Sequence, residues 1–479
     1  MSSKHKPSTK INLIYNMSYQ VIVLILPLIT TPYISRVIGA IGVGTYSYYD
    51  SIAQYFVNFA KLGILNYGNR TIARVRGTGE SIDDSFSEIY GLQLITSVVS
   101  NIIYLLFCLF IADEKGAALL VAFYVSSAIL DVSWLFYGLE EFKVTSVRQI
   151  IIRIISVLLI FFAVHNRNDL HIYILIMSGG IFVSQLILWI MAWNRVHWRR
   201  MSLQVILRHL KPCLVLFIPI IATNVYREMD KIMIGYLCDM TKLGYYENSQ
   251  KLITISLGVV ASFSAVIMPK ISNLRGQNNM KEVKRMFDLS MTFAMAVGMA
   301  IGFGIASVSN EFVPIFFGDE FIPSIVLSKY LSITVPFISW ACIVRTLYLI
   351  PFERDRVYVQ SIIIGAILNV ICNSIFIPRL GVMGAVPGTL IAEISVAVYQ
   401  SFMCRKELRI GTYLKECVVF FIAGVLMYLA VRKTALIVTA NVFGLILEIL
   451  IGAVLYCTIV GLYLIAVKKM PIKQMLSKE

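Results

Sequence analysis

An all-α integral membrane protein with about 14 transmembrane helices is what these 479 residues encode. Composition says so first. The chain is 58% hydrophobic and 14% charged, whereas soluble domains carry about 25% charged residues. Its mean hydropathy is +0.78. Apolar stretches of bilayer length then recur from end to end, and Lys and Arg gather in alternate loops between them.

A helix needs about 20 apolar residues to cross a bilayer. Such segments cover 13–35, 43–66, 87–112, 116–138, 148–165, 170–192, 212–238, 250–269, 286–309, 323–349, 357–377, 382–404, 415–432 and 441–467. The N-terminus, apolar from Ile11, reads as the first span rather than a cleaved signal, because its apolar run is long and no small-residue site follows it.

Net charge is +15. With the N-terminus placed inside, the inner loops and tails hold 28 Lys and Arg and the outer loops eight. That bias is the positive-inside pattern, and it puts both termini in the cytoplasm. Trp189, Trp193 and Trp198 fall at an inner interface, where amphipathic rings belong. The longest interruption, 193–211, is too short for a soluble domain, and there is no GxxxxGK[ST] loop. ATP-driven transport by this chain, nucleic-acid binding and Ser/His/Asp chemistry are therefore not expected. The eight cysteines read as small buried hydrophobes. The five histidines read as surface residues.

The chain carries a repeat. Pro27 in the first span is followed by Gly44-Thr45-Tyr46-Ser47-Tyr48-Tyr49. Pro219 in the seventh is followed by Gly244-Tyr245-Tyr246-Glu247-Asn248-Ser249. The offset is six spans, so the two halves share one orientation, as in a parallel pseudo-two-fold repeat. The expected domains are an N-terminal six-helix lobe at 1–200, a second at 201–410, and two extra helices with a basic tail at 411–479.

Four stretches carry a family resemblance: Pro32-Tyr33-Ile34-Ser35-Arg36-Val37-Ile38-Gly39 leading to Gly42-Val43-Gly44-Thr45-Tyr46; Lys61-Leu62-Gly63-Ile64 with Tyr67-Gly68-Asn69-Arg70; Met229-Asp230-Lys231-Ile232-Met233-Ile234-Gly235; and Leu380-Gly381-Val382-Met383-Gly384-Ala385. In this order they resemble Wzx-type polysaccharide flippases of the multidrug/oligosaccharidyl-lipid/polysaccharide exporter superfamily. The resemblance implies two six-helix lobes around a central cavity in a bacterial cytoplasmic membrane. It implies flipping of undecaprenyl-pyrophosphate-linked repeat units by alternating access, without catalysis and with no cofactor beyond a coupling H⁺ or Na⁺. The implied partners are the lipid-linked oligosaccharide, membrane lipids, and the polysaccharide polymerase and chain-length machinery. A cation-coupled multidrug exporter and a lipid II flippase stay open on the same fold.

A pyrophosphate calls for cationic donors, and charges within spans default to function. Arg36, Arg227, Lys231 and Lys61 are the candidate phosphate-binding cations. Arg36 matches, by the resemblance, a lumenal arginine of the superfamily; it also reads as an interfacial anchor. Lys61 also reads as a snorkelling side chain. Arg227 and Lys231 are i and i+4, on one face; Glu228 and Asp230 lie between them as local counter-charges. Asp50, Asp230 and Glu393 are the candidate ion-coupling carboxylates, with pairing to a neighbouring helix as the alternative. Tyr46, Tyr48, Tyr49, Tyr245 and Tyr246 read as an outer aromatic belt, and Pro27, Pro219 and Pro336 as helix interruptions.

Overall fold

The computed structural model describes residues 9–466, with side chains from 25 onward. The N- and C-terminal basic tails that support the expected orientation lie largely outside these residues, as does His5. Two compact units, Met1–Gly235 and Tyr236–Glu479, divide the chain.

In the first unit the helices are α1 (Thr9–Lys61), α2 (Ile64–Thr78), α3 (Ile82–Phe110), α4 (Lys115–Leu130), α5 (Ser133–Gly138), α6 (Phe142–Ala163), α7 (Leu170–Trp193), α8 (Leu203–Leu207) and α9 (Leu210–Leu237). In the second they are α10 (Met240–Gly276), α11 (Met280–Phe317), α12 (Ser324–Leu331), α13 (Val335–Ile343), α14 (Asp355–Leu380), α15 (Ala385–Met403), α16 (Ile410–Thr434) and α17 (Val442–Ala466). Twelve helical stretches are long and apolar enough to cross a membrane. Two of them, Ile25–Thr78 with 54 residues and Asp355–Met403 with 49, reach about 75–80 Å at 1.5 Å per residue, enough for two crossings each of a core about 30 Å thick. Counted so, the chain has the expected fourteen.

The loop expected between spans one and two is instead a kink within α1. Gly39 sits at φ 70°, ψ −179°, a region open essentially to glycine alone. The helix direction changes there without a loop, and at Gly39 rather than at Pro27. The second span ends at Lys61, five residues before its expected end, because Leu62 and Gly63 both take positive φ (41° and 75°). The fourth span is also broken. Its α4 ends at Leu130, and Gln93 of α3 donates through Nε2 to the carbonyls of Ala128 (2.7 Å) and Asp131 (2.9 Å), which the break has freed. The indole of Trp134 donates back to Gln93 Oε1 at 2.9 Å.

Each unit ties the head of one span to the head of another. In the first, Tyr49 is fully buried and its hydroxyl accepts from the Glu114 amide at 2.8 Å, just before α4. In the second, Ser324, the first residue of α12, donates to the Tyr245 carbonyl at 3.1 Å, and Tyr245 meets Phe321 edge-on. Tyr246 is also fully buried, with its hydroxyl 3.2 Å from Thr389. Tyr49 and Tyr246 are thus core residues and not part of an aromatic belt. The second unit carries one further charged knot, in which Arg432 of α16 pairs with Glu311 of α11 at 2.9 Å.

Replacing Gly39 by alanine places a Cβ in a glycine-only region, at a cost of about 1–3 kcal/mol. We expect the melting temperature of detergent-solubilised G39A to fall by about 5 °C. An unchanged melting temperature would show that the kink can relax at no cost.

Candidate functional site

A polar seam joins the second half of α1 to α9 within the first unit. Ser51, Tyr55, Phe59 and Gly63 recur every fourth residue and so form one stripe. Each meets a residue of α9, and the α9 numbers fall as the α1 numbers rise, so the two run antiparallel. The Ser51 hydroxyl donates to Glu228 Oε2 at 3.2 Å. Tyr55 donates to the Asn224 carbonyl at 3.4 Å. Phe59 packs on Phe217 with centroids 5.1 Å apart. A Cβ on Gly63 would stand 2.9 Å from the Cys213 carbonyl, and one on Gly235 would overlap the Tyr48 ring. Two close glycine approaches thus bracket a stretch where hydroxyls and charges face each other.

Four charges occupy that stretch of α9. Lys231 Nζ lies 3.0 Å from Glu228 Oε2, the i,i+3 pair expected from spacing. Asp230 is 2% exposed and engaged within the structure. Tyr55 lies within electrostatic reach of Glu228 and Asp230, and Tyr124 of α4 within reach of Asp50 and Glu228. Asp50 is half-buried, with the Tyr46 hydroxyl 3.5 Å from its Oδ1. Arg227 differs from its neighbours. It is exposed, and among the described residues it makes no ion pair or hydrogen bond. It stands ten residues from the Leu237 end of α9, or about 15 Å deep.

The seam carries Arg227, Asp230 and Lys231 on α9 and Asp50 next to Ser51 on α1; of these, Lys231 pairs with Glu228. The other candidates lie apart. Arg36 is exposed and precedes the Gly39 kink. Lys61 ends α1 with its Nζ 2.5 Å from Asp131 Oδ2; Asp131 also accepts from the Ser133 amide at 3.1 Å and hydroxyl at 2.5 Å. Glu393 is half-buried on α15 of the second unit.

One group of residues was passed over in the sequence. His209, read there as a surface histidine, is 6% exposed. Its Nε2 lies 2.8 Å from Glu88 Oε2 and its Nδ1 2.7 Å from the Tyr67 hydroxyl; Arg208 reaches the same Glu88 oxygen at 2.5 Å. A carboxylate only accepts, so Nε2 carries a proton, and in the neutral ring Nδ1 accepts from Tyr67. This chain of bonds fixes α2, α3 and the start of α9 to one another. Beside it α2 and α9 enclose a cleft of about 430 Å³, with Arg70 and Arg74 on one side and Pro212, Val215 and Leu216 on the other.

The family described as "Polysaccharide biosynthesis protein" matches residues 10–275, more than half of the chain and the whole of this seam. The chain belongs to that family. A putative O-antigen transporter of Shigella dysenteriae is 24% identical over 389 residues, spanning 78% of this chain and 94% of the relative. A putative O-antigen transporter of Escherichia coli (strain K12) is 22% identical over 339 residues, 70% of this chain and 81% of its own. Among solved structures, the lipid II flippase MurJ in an inward closed conformation superposes with a TM-score of 0.73 at 15% identity, covering 95% of this chain and 99% of that one. That likeness shows the fold, and the twelve apolar stretches with the bacterial relatives make this family member a multi-pass protein of the bacterial membrane.

Lys61→Met leaves Asp131, 8% exposed at its side chain, without its cation, while Lys61 itself is 29% exposed. The partial exposure brings the expected loss to about 2–3 kcal/mol, below that of a fully buried pair. The double variant K61M/D131N should recover most of it in thermal melts. Failure of the second change to recover stability would mean that the ion pair is not what Lys61 contributes.

Proposed function

We propose that this protein carries undecaprenyl-pyrophosphate-linked oligosaccharide repeat units across the cytoplasmic membrane, by exposing the α1–α9 seam alternately to the two sides. The observation that carries the reading is Arg227, an exposed cation some 15 Å inside a transmembrane helix with no protein partner among the described residues. An arginine at mid-membrane costs at least about 2.5–3.5 kcal/mol when it faces lipid. Water and an anionic substrate remove that cost. Its planar fork matches phosphate oxygens two at a time. The substrate class follows the O-antigen transporters to which the chain is similar.

A cation-coupled multidrug exporter would need an acidic face without arginine. Here Arg227 stands exposed beside Glu228, which Ser51 and Lys231 already bind. In the flippase reading Arg227 and Lys231 hold the pyrophosphate. A coupling H⁺ or Na⁺ exchanges at Asp50, Asp230 or Glu393, and Arg36 guides the departing head group. The termini face the cytoplasm, as the loop charges require, and the polymerase and chain-length machinery receive the product.

Arg227→Ala removes no ion pair or hydrogen bond among the described residues, so the variant should insert and melt like the parent. Loss of a charge-assisted contact worth about 1.5–3 kcal/mol should slow lipid-linked oligosaccharide transfer in proteoliposomes roughly ten- to hundredfold and deplete surface glycan. Arg227→Lys, which keeps charge but not the fork, should fall between. Full transfer by R227A would end the assignment.

A further inference from the structure

We infer that the cleft between α2 and α9 is a binding site for the phosphodiester head of an anionic bilayer phospholipid, separate from the seam and independent of what the protein transports. The argument starts from α2. It is amphipathic, burying Ile64, Gly68, Thr71, Ile72 and Val75 and turning three arginines outward. Arg76 is satisfied, with Glu140 Oε1 at 2.7 Å and the Leu139 carbonyl at 2.8 Å. Arg70 and Arg74 are exposed and have no ion pair or hydrogen bond among the described residues, yet both line the cleft. Four residues apart, they share one helix face with Cβ atoms about 5–6 Å apart. Two guanidinium forks at that spacing match the unesterified oxygens of one phosphate.

The opposite wall explains why the phosphate belongs to a lipid. Pro212, Val215 and Leu216 offer no hydrogen-bonding side chain. Val215 is 62% exposed, and one turn further along α9 Ile218 is 54% exposed. An apolar strip therefore leads out of the cleft along α9, the direction an acyl chain must take if its head group is held by Arg70 and Arg74. A free phosphate would gain nothing from that strip.

Depth agrees. Tyr90, two residues after Glu88 on α3, meets Trp198 edge-on with centroids 5.6 Å apart and accepts from the Trp189 indole at 2.8 Å. Trp193 beside them is 63% exposed. Such amphipathic rings collect at the head-group level, and Glu88 itself is joined through His209 to Tyr67 of the cleft. The volume of about 430 Å³ holds a compact head group.

The test uses the full chain in phosphatidylcholine vesicles doped with photoactivatable phosphatidylglycerol, with labelled peptides mapped by mass spectrometry. Label should appear on the peptides carrying Arg70–Arg74 and Pro212–Ile218. It should fall about tenfold in R70Q/R74Q, the loss expected for charged hydrogen bonds, and fall in V215S. A control with the same charge change, R356Q/R379Q, should keep it; Arg356 and Arg379 are exposed and lie in the second unit, far from these peptides in sequence. All variants are first matched by thermal melt, since none of the four arginines has a protein partner to lose among the described residues. Equal labelling of R70Q/R74Q overturns the site. So does equal labelling by photoactivatable phosphatidylcholine, displacement by millimolar inorganic phosphate, or displacement by undecaprenyl pyrophosphate in preference to phosphatidylglycerol.

Discussion

Hydrocarbon offers no hydrogen bonds, and this chain is shaped by that constraint wherever its backbone or its charges depart from a plain apolar helix. Each break in a span brings its own compensation. Gln93 takes up the carbonyls freed at the end of α4. Lys61, where α1 stops, meets Asp131. Arg432 meets Glu311 in the second unit. These are local neutralisations. What they leave over becomes informative. Arg227, Arg70 and Arg74 are the cations that have not been neutralised from within at the sites described above, and each sits where a phosphate has reason to be.

The sequence was most legible where one residue type dominates the physics. Span number followed from apolar run length, and the two long stretches that merge spans still hold a crossing each side of Gly39 and of Gly381. The charge quartet on α9 was visible because four ionisable groups in five residues have few places to go, and the Glu228–Lys231 pair formed at its expected i,i+3 spacing. What stayed hidden depends on partners distant in sequence. His209 looked like any loop histidine until Glu88, 121 residues away, closed on it. Lys61 looked like a snorkelling side chain, and only the break in α4 brought Asp131 to it. The every-fourth-residue stripe from Ser51 to Gly63 was in plain view as periodicity, but nothing in it named α9 as the helix it would face.

The tyrosines teach the same lesson from the other side. Aromatic residues at the head of a span fit an interfacial belt by composition, yet Tyr49 and Tyr246 are wholly buried. Their hydroxyls satisfy polar groups at the start of other spans, which a phenylalanine of the same size would leave unmet. Both units use this device near the same step of the repeat, Tyr49 in one and Tyr246 in the other.

The break in α4 has an evolutionary reading. Gln93, Trp134 and Asp131 are joined in one chain of bonds: amide to carbonyl, indole to amide, and the hydroxyl of the serine that starts α5 to carboxylate. No single member can drift to an apolar residue without stranding a buried dipole. Homologous chains should therefore either keep the trio intact or discard it together with the break, running that span as one uninterrupted rod. A lineage with a hydrophobic residue in place of Gln93 is where the straightened version belongs.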